Sequence, residues 1–264
     1  MPSLQPNRGF FRASKVRSPE AHRGRRLLRP GTAPVWWMPT DHVAPADCDR
    51  WFVVLDREER ERAERFRFEH DRRDFIAAHV LLRSMLTFYL GRPAAGWQFT
   101  ADDLGKPRIA EKLRLSEIDF NLSHTRDLVA AALVSRAAIG VDVEQIDAAK
   151  ADFDVAQNYF APPEVDILRA TPRPEQATCF FRLWTLKEAY LKATGAGLGT
   201  PLDSFAFTLA PVRISFLTDL GDLPQRWRFA TLPTTGRHVL SVAIASQGDR
   251  PVCVMPRAVE ARDL

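Results

Sequence analysis

The chain has 264 residues, 45% of them hydrophobic, with 37 Lys and Arg against 33 Asp and Glu and a formal net charge of +4. That length supports a sizeable core in one large domain or two small ones, and no apolar run approaches the roughly 20 residues that a bilayer-spanning helix needs. Three scattered cysteines (Cys48, Cys179 and Cys253) without a C-x-x-C pair argue against a disulfide framework or a structural zinc; with no apolar leader at the N-terminus, the expectation is a soluble cytoplasmic protein.

The charge is unevenly placed. Residues 1–30 hold eight Lys or Arg and one acid, Glu20, a net of +7, so residues 31–264 carry −3. The body is mildly acidic, and the basic segment reads as a disordered tail rather than as the mark of a nucleic-acid-binding domain. Of the 37 basic residues only six are Lys: Lys15, Lys106, Lys112, Lys150, Lys187 and Lys192. Where Arg is the default cation, a Lys hints at a site that needs a compact ammonium rather than a planar fork.

Beyond the tail, PVWWMP (34–39) reads as a first strand. WFVVLD (51–56) leads into a charged and then apolar stretch that predicts one or two helices ending at Gly91, with Pro93 just beyond. Phe75, Ala78, Leu82 and Leu86 recur at three- and four-residue spacing and give that helix a buried face. LGKPRI (104–109) holds a turn, and DFNLSH (119–124) and LVAAALVS (128–135) read as strands. AIGVDVEQID (138–147) alternates Val141 and Val143 with Asp142 and Glu144, a strand signal that sends the valines to a core and both carboxylates to the other face. Two carboxylates roughly 6.5–7 Å apart repel by about 2 kcal/mol at an effective dielectric near 20. YFAPPEVDILRA (159–170) predicts a short helix after a Pro pair, and residues 174–197 predict a strong one with Gly195 as its cap. Strand-like runs close the chain at 205–210, 212–217, 227–232, 238–245 and 252–255. Each half thus places helices before strands, and the fold class expected is α+β.

The helix over 174–194 adds a third acid. Glu188 and Lys192 stand at i and i+4, and by themselves they read as an exposed ion pair worth about 0.3–0.5 kcal/mol. The surrounding Phe180, Phe181, Leu183, Trp184, Leu186 and Tyr190 make the helix apolar around most of its circumference, which argues for a central position. Asp142, Glu144 and Glu188 form an all-oxygen set suited to Mg²⁺, a cation that takes a few carboxylates plus water and substrate phosphate. In LGKP, Gly105 permits a tight turn and Pro107 fixes its exit, presenting Lys106; in NLSHTRD, Ser123 and His124 offer a hydroxyl and a ring nitrogen at a strand end.

GKP, NLSH, GVDVE and WTLKEAYLKATGAGL, in this order and spacing, resemble the phosphopantetheinyl transferases of the surfactin-synthetase-activating type, over roughly residues 50–246. The resemblance implies transfer of the phosphopantetheine arm of coenzyme A to a serine of an apo acyl-, peptidyl- or aryl-carrier protein, with adenosine 3′,5′-bisphosphate as leaving group. It implies Mg²⁺, with Mn²⁺ as the alternative, on Asp142, Glu144 and Glu188. Arg62, Lys106, Pro107, Ser123, His124 and Lys192 are the implied coenzyme A contacts, with Arg60 or Arg65 replacing Arg62 if the register shifts. Glu188, Lys192 and His124 are the implied catalytic residues, and Glu59 stands where some members have a Lys. The implied fold is a pseudo-dimer of two similar α/β halves, 31–137 and 138–264, with the site in the cleft between them. One chain then completes the site, so a monomer is expected. The carrier's pathway (fatty acid, polyketide or nonribosomal peptide) stays open. Two rivals remain: a Mg²⁺-dependent nucleotide phosphohydrolase and a basic-tailed nucleic-acid binder, the latter opposed by the acidic body.

Overall fold

The computed structural model describes residues 28–245 and 252–264; of the basic tail expected over 1–30, residues 1–27 lie outside the described residues. Strand β1 (Thr32–Pro39) is followed by helices α1 (Pro45–Phe52), α2 (Arg57–Glu64) and α3 (Glu69–Leu90). A capping box starts α2: the Asp56 carboxylate accepts from Glu59 N, and the Glu59 carboxylate accepts from Asp56 N, each at 2.9 Å. Gly91 ends α3 in the left-handed region at φ 79°, as its position in the sequence predicts. The predicted face of α3 is real, for Phe75, Ala78, Leu82 and Leu86 are all buried. A small hairpin of β2 (Phe99–Ala101) and β3 (Pro107–Ile109) precedes β4 (Ile118–Thr125) and β5 (Leu128–Ser135).

The second half opens with β6 (Ala138–Gln145), α4 (Phe153–Tyr159), α5 (Pro162–Ala170) and α6 (Arg173–Thr194). Gly195 ends α6 at φ 73°, its N–H returning to Leu191 O. A hairpin of β7 (Phe205–Leu209) and β8 (Val212–Phe216) follows, then β9 (Trp227–Leu232), β10 (His238–Ala245) and β11 (Cys253–Ala258). No helix among the described residues is long and apolar enough to cross a membrane.

The fold is α+β, built as two halves that each lay a 22-residue helix on a sheet. One sheet has the order β11-β1-β5-β4 and carries α3; the other has the order β6-β10-β9 and carries α6. The two sheets bury their remaining faces together. Val35 of β1 and Leu128, Ala130, Ala132 and Val134 of β5 meet Ile139, Val141 and Val143 of β6 and Leu240, Val242 and Ile244 of β10. This explains why LVAAALVS is apolar without a break: β5 is buried on both faces, Val129, Ala131 and Leu133 lying on the α3 side. The second half as read from the sequence, 138–264, does not stay in one sheet. Its last strand β11 crosses back and pairs in parallel with β1, Thr32 opposite Cys253.

Candidate active site

The carboxylates of β6 face α6, because the alternation that buries Val141 and Val143 turns Gly140, Asp142 and Glu144 the other way. Gly140 is the reason α6 can lie so close. A Cβ there would stand 2.0 Å from Ala189 O and 2.5 Å from Ala193 N of α6, so only glycine admits this approach.

Strands β4 and β6 are not bonded through their backbones. Instead every second side chain of β4 accepts an N–H of β6, twenty residues on. Ile139 N donates to Asp119 Oδ2 (2.8 Å), Val141 N to Asn121 Oδ1 (2.9 Å), Val143 N to Ser123 Oγ (3.3 Å) and Gln145 N to Thr125 Oγ1 (3.4 Å). The two hydroxyls of this ladder also reach the acids: Ser123 Oγ donates to Asp142 Oδ1 at 3.0 Å and Thr125 Oγ1 to Glu144 Oε2 at 3.1 Å. Thr125 carries no signal in the sequence reading beyond its place in the D-N-S-T alternation of β4.

Lys192, in the last turn of α6, closes the site from the other side. Its ammonium lies 2.5 Å from Asp142 Oδ1 and donates to Ser123 Oγ at 3.0 Å. Asp142 is buried, and its second oxygen, Oδ2, has no hydrogen-bond partner. Burial, then the neighbouring Asp142 charge, push the Glu144 carboxyl up to about 7, against the pull of the Thr125 hydrogen bond and of Lys192. Glu188 is raised for the same two reasons, burial first and Asp142 second, with Lys192 opposing. The repulsion expected from GVDVE is therefore present and only partly relieved. Among the described residues no three His, Cys, Asp or Glu side chains are grouped around one point; the Lys192 ammonium lies against Asp142 instead.

Strand alternation separates Ser123 from His124. His124 points toward α3, where its ring meets the Phe75 edge at 6.4 Å between centroids. Phe75 is ringed by His79 (4.2 Å) and by the Arg62 guanidinium, 5.3 Å above its face. His124 is exposed at the strand end yet crowded by protein, and that desolvation, then the charges of His79, Lys192 and Arg62, lower its pKa against the opposing pull of Asp74. Arg60 is spent on Phe52 O and Val53 O and Arg65 lies beside Glu61, while Arg62 lies over Phe75, the ring whose edge His124 meets. Glu59 is not part of an open pocket: it is buried against His79 and the fully buried Arg83.

One expectation is corrected. The LGKP turn does not present the Lys106 ammonium outward. Lys106 is 6% exposed, and its Nζ donates to Asp119 Oδ2 (2.8 Å), Ile139 O (3.1 Å) and Ala193 O (3.3 Å). All three N–H groups are used, so none is left for a phosphate. Pro107 starts β3 in the same turn.

Comparison with known proteins matches this arrangement to a family in both halves. Residues 138–243 match the 4′-phosphopantetheinyl transferase superfamily, and residues 36–136 match the family described as 4′-phosphopantetheinyl transferase, N-terminal. The chain is 33% identical over 217 residues to 4′-phosphopantetheinyl transferase HetI of Nostoc sp., covering 82% of this chain and 89% of that one. It is 32% identical over 238 residues to a phosphopantetheinyl transferase of Thraustochytrium sp., covering 83% and 82%. With 4′-phosphopantetheinyl transferase Sfp of Bacillus subtilis it shares 31% identity over 167 residues, 63% of this chain and 72% of that one. With both halves matched and a relative 33% identical over most of both chains, this chain belongs to the 4′-phosphopantetheinyl transferase superfamily.

Proposed function

We propose that this chain transfers the 4′-phosphopantetheine arm of coenzyme A to a serine hydroxyl of an apo carrier protein, in a divalent-cation-dependent reaction that releases adenosine 3′,5′-bisphosphate. The observation that carries the reading is Asp142: one oxygen is held by Lys192 and Ser123, and the other is buried and unpartnered beside two carboxylates that both lack a full counter-charge. A buried acid with an orphaned oxygen calls for a cation, and an all-oxygen donor set selects a hard one. Asp142, Glu144 and Glu188 would hold Mg²⁺, or Mn²⁺, once Lys192 turns from Asp142 to phosphate. Bound there, the ion supplies charge stabilisation for the diphosphate.

The chain's own residues do the rest. Lys192 neutralises charge that develops on the phosphoryl oxygens. Arg62 and His124, on the α3 side of β4, receive the anionic end of coenzyme A in the cleft between the halves. Glu188 accepts the proton of the attacking serine. The serine oxygen bonds to the phosphorus that bears pantetheine as the P–O bond to adenosine 3′,5′-bisphosphate breaks. The division at residues 137 and 138 separates β4, which carries Ser123 and His124, from β6, which carries Asp142 and Glu144, and a monomer suffices to bring them together.

The test is an intact-mass spectrum of an apo carrier protein after incubation with the enzyme, coenzyme A and Mg²⁺, with an EDTA control. A gain of one phosphopantetheine arm that EDTA prevents is the expected result; Asp142→Ala and Glu188→Ala proteins, still folded, should show none. Release of phosphopantetheine without a modified carrier would overturn the reading in favour of a hydrolase.

A further inference from the structure

We propose that Lys106 is a positioning residue whose ammonium pins the last turn of α6 to both β4 and β6, and so sets where Lys192 meets Asp142. The inference rests on the transfer reaction proposed above. It begins with the turn that delivers the side chain. Asp102 Oδ1 accepts from Leu104 N (3.1 Å) and Lys106 N (2.9 Å), Asp102 N donates to Lys106 O (2.9 Å), and Gly105 takes φ 84°. This Asx-type turn is closed by its own side chain, so Lys106 leaves it in a fixed direction, inward. Its stem passes Gly195, where a Cβ would stand 3.8 Å from Lys106 Cδ. The ammonium then meets one group from each of three elements: the Asp119 carboxylate of β4, the Ile139 carbonyl of β6 and the Ala193 carbonyl of α6.

Ala193 O belongs to the final turn of α6, whose carbonyls have no partner within the helix. A cation there also complements the negative end of the helix dipole. Three acceptors from three directions suit a compact ammonium; a planar guanidinium could not point its donors at all of them. Ala193 follows Lys192 directly, so fixing the Ala193 carbonyl fixes the phase of the turn from which Lys192 reaches Asp142 and Ser123. The same bond keeps Ala193 N over Gly140, at the closest approach of α6 to β6. Lys106 therefore acts on the reaction through Lys192 and touches no substrate phosphate itself.

The test compares Lys106→Met with wild type in two measurements. Asp119 keeps Arg108 Nη1 (2.6 Å) and Ile139 N (2.8 Å) in that variant, so its carboxylate is not stranded. In hydrogen exchange on the free protein, the segment 189–196 should lose protection by tenfold or more while α3 is unchanged. In steady-state transfer to an apo carrier protein, kcat should fall at least tenfold, with KM for coenzyme A within twofold of wild type. A KM for coenzyme A raised tenfold with kcat retained would place the ammonium on the substrate and overturn the proposal, as would unchanged exchange and kcat. Should Lys106→Met not fold, Lys106→Gln, which keeps two N–H donors, carries the same two measurements and the same criteria. A wild-type protein that fails to transfer would remove the proposed function, while the exchange measurement would still decide the pinning of α6.

Discussion

Gly140→Ala places one methyl group at the contact that sets the distance between β6 and α6. The added Cβ would lie 2.0 Å from Ala189 O, and ordinary contact near 3.4 Å requires the helix to retreat by about 1.4 Å. Both obstructing atoms, Ala189 O and Ala193 N, are backbone, so no side-chain rotation relieves the clash. Overpacking of this kind costs about 1–3 kcal/mol. Its effect on the site is larger in proportion. A retreat of that size takes Lys192 Nζ from 2.5 Å to about 4 Å from Asp142, a loss of about 2 kcal/mol of attraction at an effective dielectric near 20, reduced by solvent because the Lys192 side chain is 30% exposed. A displacement near 1 Å of a reacting group costs on the order of 100-fold in rate. Urea denaturation and carrier-protein mass spectrometry measure the two effects. Gly199→Ala, where nothing lies within 4 Å, is the control and should change neither. A Gly140→Ala protein of wild-type stability and rate would refute the argument that this glycine is a spacer for the site.

Thr125→Val keeps the shape but removes the donor to Glu144 and the acceptor for Gln145 N; transfer should fall about tenfold, consistent with one lost hydrogen bond to a charged group, and Thr125→Ser should restore most of it in the same assay. Lys187 is fully buried with Glu164, and its ammonium is bonded to that carboxylate at 2.7 Å, to Leu202 O and to Phe205 O. Lys187→Met should cost about 3–5 kcal/mol by leaving the acid unpaired, and Glu164→Gln combined with it should recover part of that loss in urea titrations. Burial pushes the Glu59 carboxyl up, but the His79 hydrogen bond, the charges of His79 and Arg83 and the Asp56 N–H outweigh it and hold the group at about 2, below its ordinary 4.5. A depressed carboxylate adds stability above pH 4.5 that is lost as pH falls toward 2, on the order of 3 kcal/mol here. The stability gap between wild type and Glu59→Gln should therefore close between pH 5 and pH 2, and a gap independent of pH would contradict this.

Local pattern made much of the fold legible. Period-two alternation placed the β6 valines in a core and its acids on the opposite face, and the glycines at 91 and 195 marked the ends of the two long helices. The scarcity of lysine also carried information: Lys106, Lys187 and Lys192 are each drawn to two or more oxygens gathered around one point. What stayed hidden depends on contacts distant in sequence. LGKP announces a turn, but the inward direction of Lys106 is decided by Asp119 and by Ala193, the latter 87 residues on. VCVM reads as a strand, yet nothing within it says that it joins β1 rather than its predecessor β10. Asp142, Glu144 and Ser123 stood out in the sequence because their chemistry is local, whereas Thr125 did not, since its bond to Glu144 is made only when β4 meets β6. Ser123 and His124 were read together at a strand end, yet neighbours on a strand face opposite ways, and the structure separates them.

The ladder between β4 and β6 has a consequence for how the two halves find each other. Hydrogen bonding in an ordinary sheet is blind to residue identity, because every amide is alike, and strands slip when side-chain patterns permit. At this joint the acceptors are a carboxylate, an amide and two hydroxyls. A slip by two residues would withdraw Asp119 or Thr125 from its amide and part Ser123 from Asp142 at the same stroke. The alignment of the halves is thus written as a four-letter key in β4, and the teeth that set the joint are the ones that aim the acids. A chain that mates its halves wrongly has no site, and one that mates them correctly has the site already oriented.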